Sequence, residues 1–154
     1  MPDDLYGSDI LEWSERQVEL LRRVANGERV NDVDWPNLIE EIADVGREQL
    51  NAVESFLRQA MIHLFKLYLL PDDPARMHWL GELGNFLDDA EQRFTPSMRQ
   101  RIEMAAIFRT AGSRMKRLYP GAALPEACPW TLDDMLGGDH DQLLALLDTS
   151  APKT

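Results

Sequence analysis

Apolar residues recur every three or four positions along most of the chain, and this spacing marks one face of an α-helix. The first such stretch can be capped by Ser8 or Asp9, and Asn26 followed by Gly27 ends it. The pattern predicts a first helix between these signals. Its apolar face consists of Ile10, Trp13, Gln17, Leu20 or Leu21, and Val24.

The second predicted helix is the longest. It begins at Trp35 and Pro36, where proline is tolerated because the N–H that it lacks has no partner in a first helical turn. One helix over this pattern has about 35 residues and a length of roughly 50 Å, and any bend is expected at Gly46. Its apolar face consists of Leu38, Ile42, Val45, Gln49, Val53, Phe56, Ala60, Leu64 and Leu67.

Two further helices and a short tail are predicted. The third helix begins at Pro74, and the fourth begins at Thr95-Pro96 and ends at Tyr119, since a cap followed by proline starts each one. In the tail, Thr131 and Asp134 have the spacing of a capping box, and residues 142–147 form a last amphipathic segment. The core face of the fourth helix consists of Met104, Ile107, Phe108, Ala111, Met115 and Leu118.

No run of the sequence alternates polar and apolar residues with the period of two that marks a strand. The fold is therefore predicted to be all-α, a helical bundle of four main helices plus a short helical C-terminal tail. The length of 154 residues suits a single domain over 1–154. Its ends are expected to fray at about 1–6 and 149–154.

The cysteine content and the apolar runs bear on the compartment. The lone Cys128 cannot form an internal disulfide, which favours a reducing environment. The first residues lack the basic and then apolar pattern of a signal peptide, and no apolar run reaches the roughly 18 to 20 residues of a membrane span. We predict a cytoplasmic protein that does not bind membranes.

The net charge of −11 disfavours binding to nucleic acid, because such binding depends on cationic side chains that displace counterions. The charge is uneven, however. Asp and Glu enrich the N-terminal third, whereas residues 93–117 contain seven basic residues and only one acidic residue, Glu103. The basic side chains can complement the acidic helices, in this chain or a partner, or bind phosphate, and the position of Phe108 on the core face favours protein complementarity. The candidate interaction surface consists of Arg99, Arg109, Arg114, Lys116 and Arg117.

Several short motifs occur along the chain in a fixed order. Trp13, Gln17 and Leu21 precede DWPNLIEEI and Gly46, and HLFK, Trp79 and CPWTLDDML come later. In this order and spacing, the chain resembles the bacterial domain-of-unknown-function family 29 over nearly its whole length. The resemblance implies a helical cytoplasmic protein with no assigned activity, and it supplies no catalytic residues. The third helix departs from the family, which is usually arginine-rich there, so a basic function for this helix is not expected.

His63 and Lys66 lie within the almost unbroken apolar run 59–70. His63 falls at the edge of the core face and needs a hydrogen-bond partner, while Lys66 can extend its charge to solvent. Glu41 on the same continuous helix would be about 33 Å away, so it can pair with His63 only across a sharp break or from a second, antiparallel subunit. An ordinary boundary histidine is favoured over a ligand-binding or catalytic one.

Glu40 and Glu41 lie near the start of the second helix, where the helix dipole favours acidic residues. The spacings typical of helical metal sites, Glu-x-x-His and His-Glu-x-x-His, are absent, so no metal or other cofactor is predicted. No catalytic residue is predicted either. The candidate ligand-binding residues are His63, Lys66, Glu40 and Glu41.

Apolar residues cover almost the whole circumference of the helix over 56–70, so this segment is either the central helix of the bundle or part of a homodimer interface. The leading hypothesis is a non-enzymatic protein-interaction or assembly module, with a protein partner or a second copy. The alternatives are a small enzyme or ligand-binding protein that uses His63 with a glutamate, and nucleic-acid binding through the fourth helix.

Overall fold

The computed structural model describes residues 4–153 of the chain. Within this range the protein has seven α-helices, one 3₁₀ turn at Pro96–Met98 and no strand. The α-helices are α1 (Leu5–Ser8), α2 (Ile10–Ala25), α3 (Trp35–Leu69), α4 (Arg76–Arg93), α5 (Met104–Leu118), α6 (Leu132–Leu136) and α7 (His140–Ser150). The predicted all-α fold is confirmed, and its four main helices are α2 to α5. None of the described helices combines the length and apolar character needed to cross a membrane.

The described residues form two compact units that divide within α3. The N-terminal unit ends at Arg47, and the C-terminal unit begins at Glu48. The helix α3 has the predicted 35 residues and continues through Gly46. A single domain over 1–154 stays a prediction.

The predicted frayed ends fall only partly on described residues. Residues 1–3 and 154 lie outside the described range. Within that range α1 begins at Leu5, where Asp4 caps it by accepting the N–H of Gly7, and α7 continues to Ser150.

The N-terminal unit is organised by polar caps more than by a large core. Asp9 caps α2 as predicted, since its carboxylate accepts the N–H of Glu12 at 3.0 Å. The buried side chain of Gln17 then accepts the backbone N–H of Asp34 at 2.8 Å, which fixes the loop just before α3. The buried residues of this unit are Trp13, Gln17, Leu20 and Val33.

The C-terminal unit contains the hydrophobic core of the protein. The second half of α3 contributes Leu57, Leu64 and Phe65, all with no exposed area, and α4, α5, α6 and α7 add residues to the same cluster. Phe65 packs against the rings of Phe108 and Trp130, with ring centroids 5.5 and 5.9 Å away. Of the two predicted roles for the apolar segment 56–70, the structure supports that of a central helix.

The position predicted for the start of the fourth helix is wrong. The chain forms a 3₁₀ turn after Thr95, whose side chain caps no backbone N–H, and α5 begins only at Met104. The intervening residues Met98 and Ile102 are buried in the core. The cap-plus-proline signal therefore starts only a short turn here, and two of the residues that follow it pack into the core.

Candidate functional site

His63 is a buried histidine held by its own helix. Its Nδ1 lies 2.8 Å from the carbonyl oxygen of Gln59, and since a carbonyl only accepts, Nδ1 carries the proton. Phe86 packs against the ring with a centroid distance of 5.3 Å. The residue is 7% exposed, so it lies deeper than the edge position that the sequence predicted.

The carboxylate beside His63 comes from Glu82 on α4, which is not among the candidate residues named from the sequence. Glu82 Oε2 lies 3.6 Å from His63 Nε2, and its Oε1 lies 3.7 Å from His78 Nε2. Both distances exceed a normal hydrogen bond. Burial lowers the pKa of His63, and the nearby charge of Lys66 acts in the same direction, so the neutral ring is favoured. A neutral Nε2 and a carboxylate are both acceptors, so this pair is no preformed acid–base couple.

Lys66 is partly buried on α3. Its Nζ stands 5.8 Å from the centroid of the Trp79 ring, within the range of a cation–π contact. Neither Lys66 nor His63 lines the pockets of about 700, 440 and 250 Å³ that open among residues 4–153.

The two candidate glutamates Glu40 and Glu41 belong to the N-terminal unit and have partners there. Glu41 accepts the hydroxyl of Tyr6 at 2.8 Å, a bond that raises the pKa of the tyrosine. Glu40 pairs with Arg47 at 3.4 Å, and Arg47 also contacts Asp44. The structure therefore gives His63 a different glutamate from the two that the sequence suggested.

A pocket of about 700 Å³ opens in the N-terminal unit, and the sequence did not predict it. Asp34 lies at its wall and accepts the indole N–H of Trp13 at 2.9 Å and the amide of Asn37 at 2.8 Å. These hydrogen bonds lower the pKa of Asp34, the bond from Asn37 contributing most. The signal available in the sequence was Gln17, a polar residue on an otherwise apolar helix face. The pocket groups bond mainly to one another, which is typical of a structural network.

The other groups with possible chemistry are few. The Cys128 thiol donates to the carbonyl of Trp130 at 3.3 Å, and burial raises its pKa, which disfavours the reactive thiolate. Within residues 4–153 no three His, Cys, Asp or Glu side chains are grouped so that they could hold a metal ion.

The five residues of the candidate interaction surface do not all lie on one helix. Arg99 lies before α5, not on it, and pairs with Asp133 at 2.9 Å. The other four are exposed on α5, and none has an ion-pair partner in the part of the chain that the structure describes. They are Arg109, Arg114, Lys116 and Arg117.

The most unusual surface lies on the first half of α3. Trp35, Ile39, Ile42 and Val45 follow helical spacing and are 49%, 62%, 67% and 63% exposed. We call these four residues the apolar stripe. Ile42 and Val45 belong to the predicted apolar face of the second helix, and the structure leaves both side chains exposed. The large apolar side chains exposed in the same unit also include Ile10, Leu11 and Val18, whereas those exposed in the C-terminal unit are Met77 and Leu118.

The sequence profile of the Domain of unknown function DUF29 matches residues 5–140, which is most of the chain. The chain belongs to the DUF29 family. The match includes the described N-terminal unit with its apolar stripe, and it ends at the start of α7. The predicted resemblance is thus confirmed.

A solved structure is similar to this DUF29 protein over most of both chains. It is the crystal structure of an α-helical protein of unknown function from Rhodospirillum rubrum ATCC 11170, with 29% sequence identity and a TM-score of 0.70. The similarity covers 92% of this chain and 96% of the other. No curated protein matches this sequence significantly. These similarities thus show the family and the helical fold, and they assign no activity.

Proposed function

We propose that this DUF29 protein is a non-enzymatic interaction module that docks a protein partner on its apolar stripe. The single observation that carries the proposal is the exposure of Trp35, Ile39, Ile42 and Val45 on one helix face. Isolated apolar residues are common on protein surfaces, whereas a contiguous apolar face is typical of an interaction site.

Covering the apolar stripe with a partner is energetically favourable. Full burial of a Val, Leu or Ile side chain contributes about 1.5–3 kcal/mol. A partner that covered the exposed parts of four such residues would gain several kcal/mol before the cost of association. A gain of this size can support a specific complex.

The alternative of a small enzyme has weaker support. His63 donates to its own helix and faces Glu82 only at 3.6 Å, beyond hydrogen-bond distance. Glu40 and Glu41, which the sequence offered as its acidic partners, are engaged by Arg47 and Tyr6. A nucleophile or acid–base set that converges on one point is what an enzyme would need.

Nucleic-acid binding through α5 is a second candidate, because its four cations have no ion-pair partner within residues 4–153. The net charge of −11 opposes it, so we rank it below protein docking.

We also infer a cytoplasmic location, which the single cysteine supports.

The docking proposal can be tested in the living source cell with a photoreactive amino acid. The reactive residue replaces Ile42 in one strain and Met77 in a matched control, since Met77 is 77% exposed but belongs to the C-terminal unit. We expect light-dependent protein adducts at position 42 and far fewer at 77. Equal labelling at both positions, or none at 42, would contradict docking on the stripe.

A further inference from the structure

We propose that the segment docked on the apolar stripe is a basic amphipathic α-helix of another protein. This inference rests on the proposed function and adds the chemical class of the partner. It draws on the shape of the stripe and on the net charge of the N-terminal unit.

The shape of the stripe fits a helix. Trp35, Ile39, Ile42 and Val45 are spaced four, three and three residues apart, and they extend over about 15 Å, or roughly three helical turns. A second helix packs its side chains into the grooves of such a face, with anchors at the same i, i+3 or i+4 and i+7 spacing. Gly46 follows on the same face, and a Cβ placed there would meet nothing within 4 Å. The backbone at that end is therefore open to close approach.

The charge of the N-terminal unit selects a basic partner. Its described residues contain eleven Asp and Glu but only five Arg. Three of those arginines, Arg22, Arg23 and Arg47, are already paired with carboxylates of the same unit. Complementary charge steers partners together and rejects like-charged ones, so a partner helix that carries lysines and arginines is favoured.

A second copy of the chain suits the stripe less well. In a twofold pair both copies present the same patch, so two N-terminal units with the same excess of negative charge would approach each other. The basic helix α5 of another copy has the right charge, but Leu118 is its one large apolar residue that is exposed. It lacks a matching apolar face.

The probes for the test are two synthetic helical peptides of about 14 residues, long enough to cover three turns. Both carry leucines at i, i+3, i+4 and i+7, and they differ only in that one has lysine and arginine at the flanking positions where the other has glutamate. Binding to the full chain is measured by fluorescence anisotropy at about 0.05 M and about 0.5 M salt. The chain is used as wild type, as I39S/I42S and as the control M77S.

The basic peptide is expected to bind wild type and M77S at least about ten-fold more tightly than the acidic peptide, and less tightly at high salt. I39S/I42S is expected to lose about ten-fold or more of that affinity. Because both isoleucines are exposed, the variant should keep its circular dichroism spectrum. Equal binding of both peptides, binding unaffected by I39S/I42S, or dimerisation through the stripe without peptide binding would overturn the inference.

The two proposals fail in different ways. Adducts at position 42 in the cell, together with no preference for the basic peptide, would reject the basic helix and leave docking intact. Absence of both signals would reject docking itself.

Discussion

The two halves of α3 have the same spacing of apolar residues and opposite surroundings. In the N-terminal unit Ile39 and Ile42 are 62% and 67% exposed, whereas in the C-terminal unit Leu57 and Leu64 have no exposed area. The difference arises because α4 to α7 contribute side chains to the core around the second half. Helical periodicity thus specifies which face is apolar, but other segments of chain decide whether that face is covered.

The largest expected difference between the halves is in stability. Leu57→Ala removes a fully buried side chain and should lower the free energy of unfolding by about 2–5 kcal/mol. Ile42→Ala removes an exposed one and should change it by less than about 0.5 kcal/mol. Urea denaturation of purified protein measures both. If Ile42→Ala lowered the free energy of unfolding by more than about 1 kcal/mol, twice the expected limit, the chain itself would have to cover the stripe.

A smaller effect is expected in the polar network of the N-terminal unit. Trp13→Phe removes the N–H that Asp34 accepts, which costs about 1 kcal/mol, and it also shortens a buried ring system, so the total loss is at least that large. Hydrogen exchange should become faster in α2 and in the first turn of α3, and it should be unchanged in α5. Equally faster exchange in α5 would contradict the division into two compact units.

The smallest expected effect is a pH dependence in the C-terminal unit. Because burial lowers the pKa of His63, the unfolded chain takes up its proton more readily. The contribution of His63 to stability is therefore complete above about pH 6.5, the ordinary value for histidine, and is lost as the pH falls through the folded-state value. His63→Gln should reduce this slope in urea titrations between about pH 7.5 and pH 5. An unchanged slope would show that other groups cause it.

Local signals predicted the helices well. Asp9 caps α2, and Thr131 and Asp134 form the predicted capping box of α6, because a cap depends on neighbours within three residues. The start of α5 was missed, since the cap-plus-proline signal starts only a 3₁₀ turn and the side chain of Thr95 makes no capping hydrogen bond.

The contacts and the exposure of the candidate site residues were predicted less well than the helices. Glu82 reaches His63 from another helix, and helical spacing within one segment carries no information on such a contact. The exposure of Ile42 was missed for a similar reason, since its pattern is identical to that of a buried residue. The short motifs predicted the family correctly, but they do not predict an activity.

The most direct test of the central claim is the accessibility of position 42 to a thiol reagent. Ile42→Cys and the control Met77→Cys are made in a Cys128→Ser background, and their labelling by a maleimide is compared in dilute purified protein and in intact source cells. We predict fast labelling of both positions in purified protein, and protection of position 42 alone in cells. Slow labelling of position 42 in dilute purified protein, or equally fast labelling of both positions in cells, would contradict an exposed stripe that a partner covers.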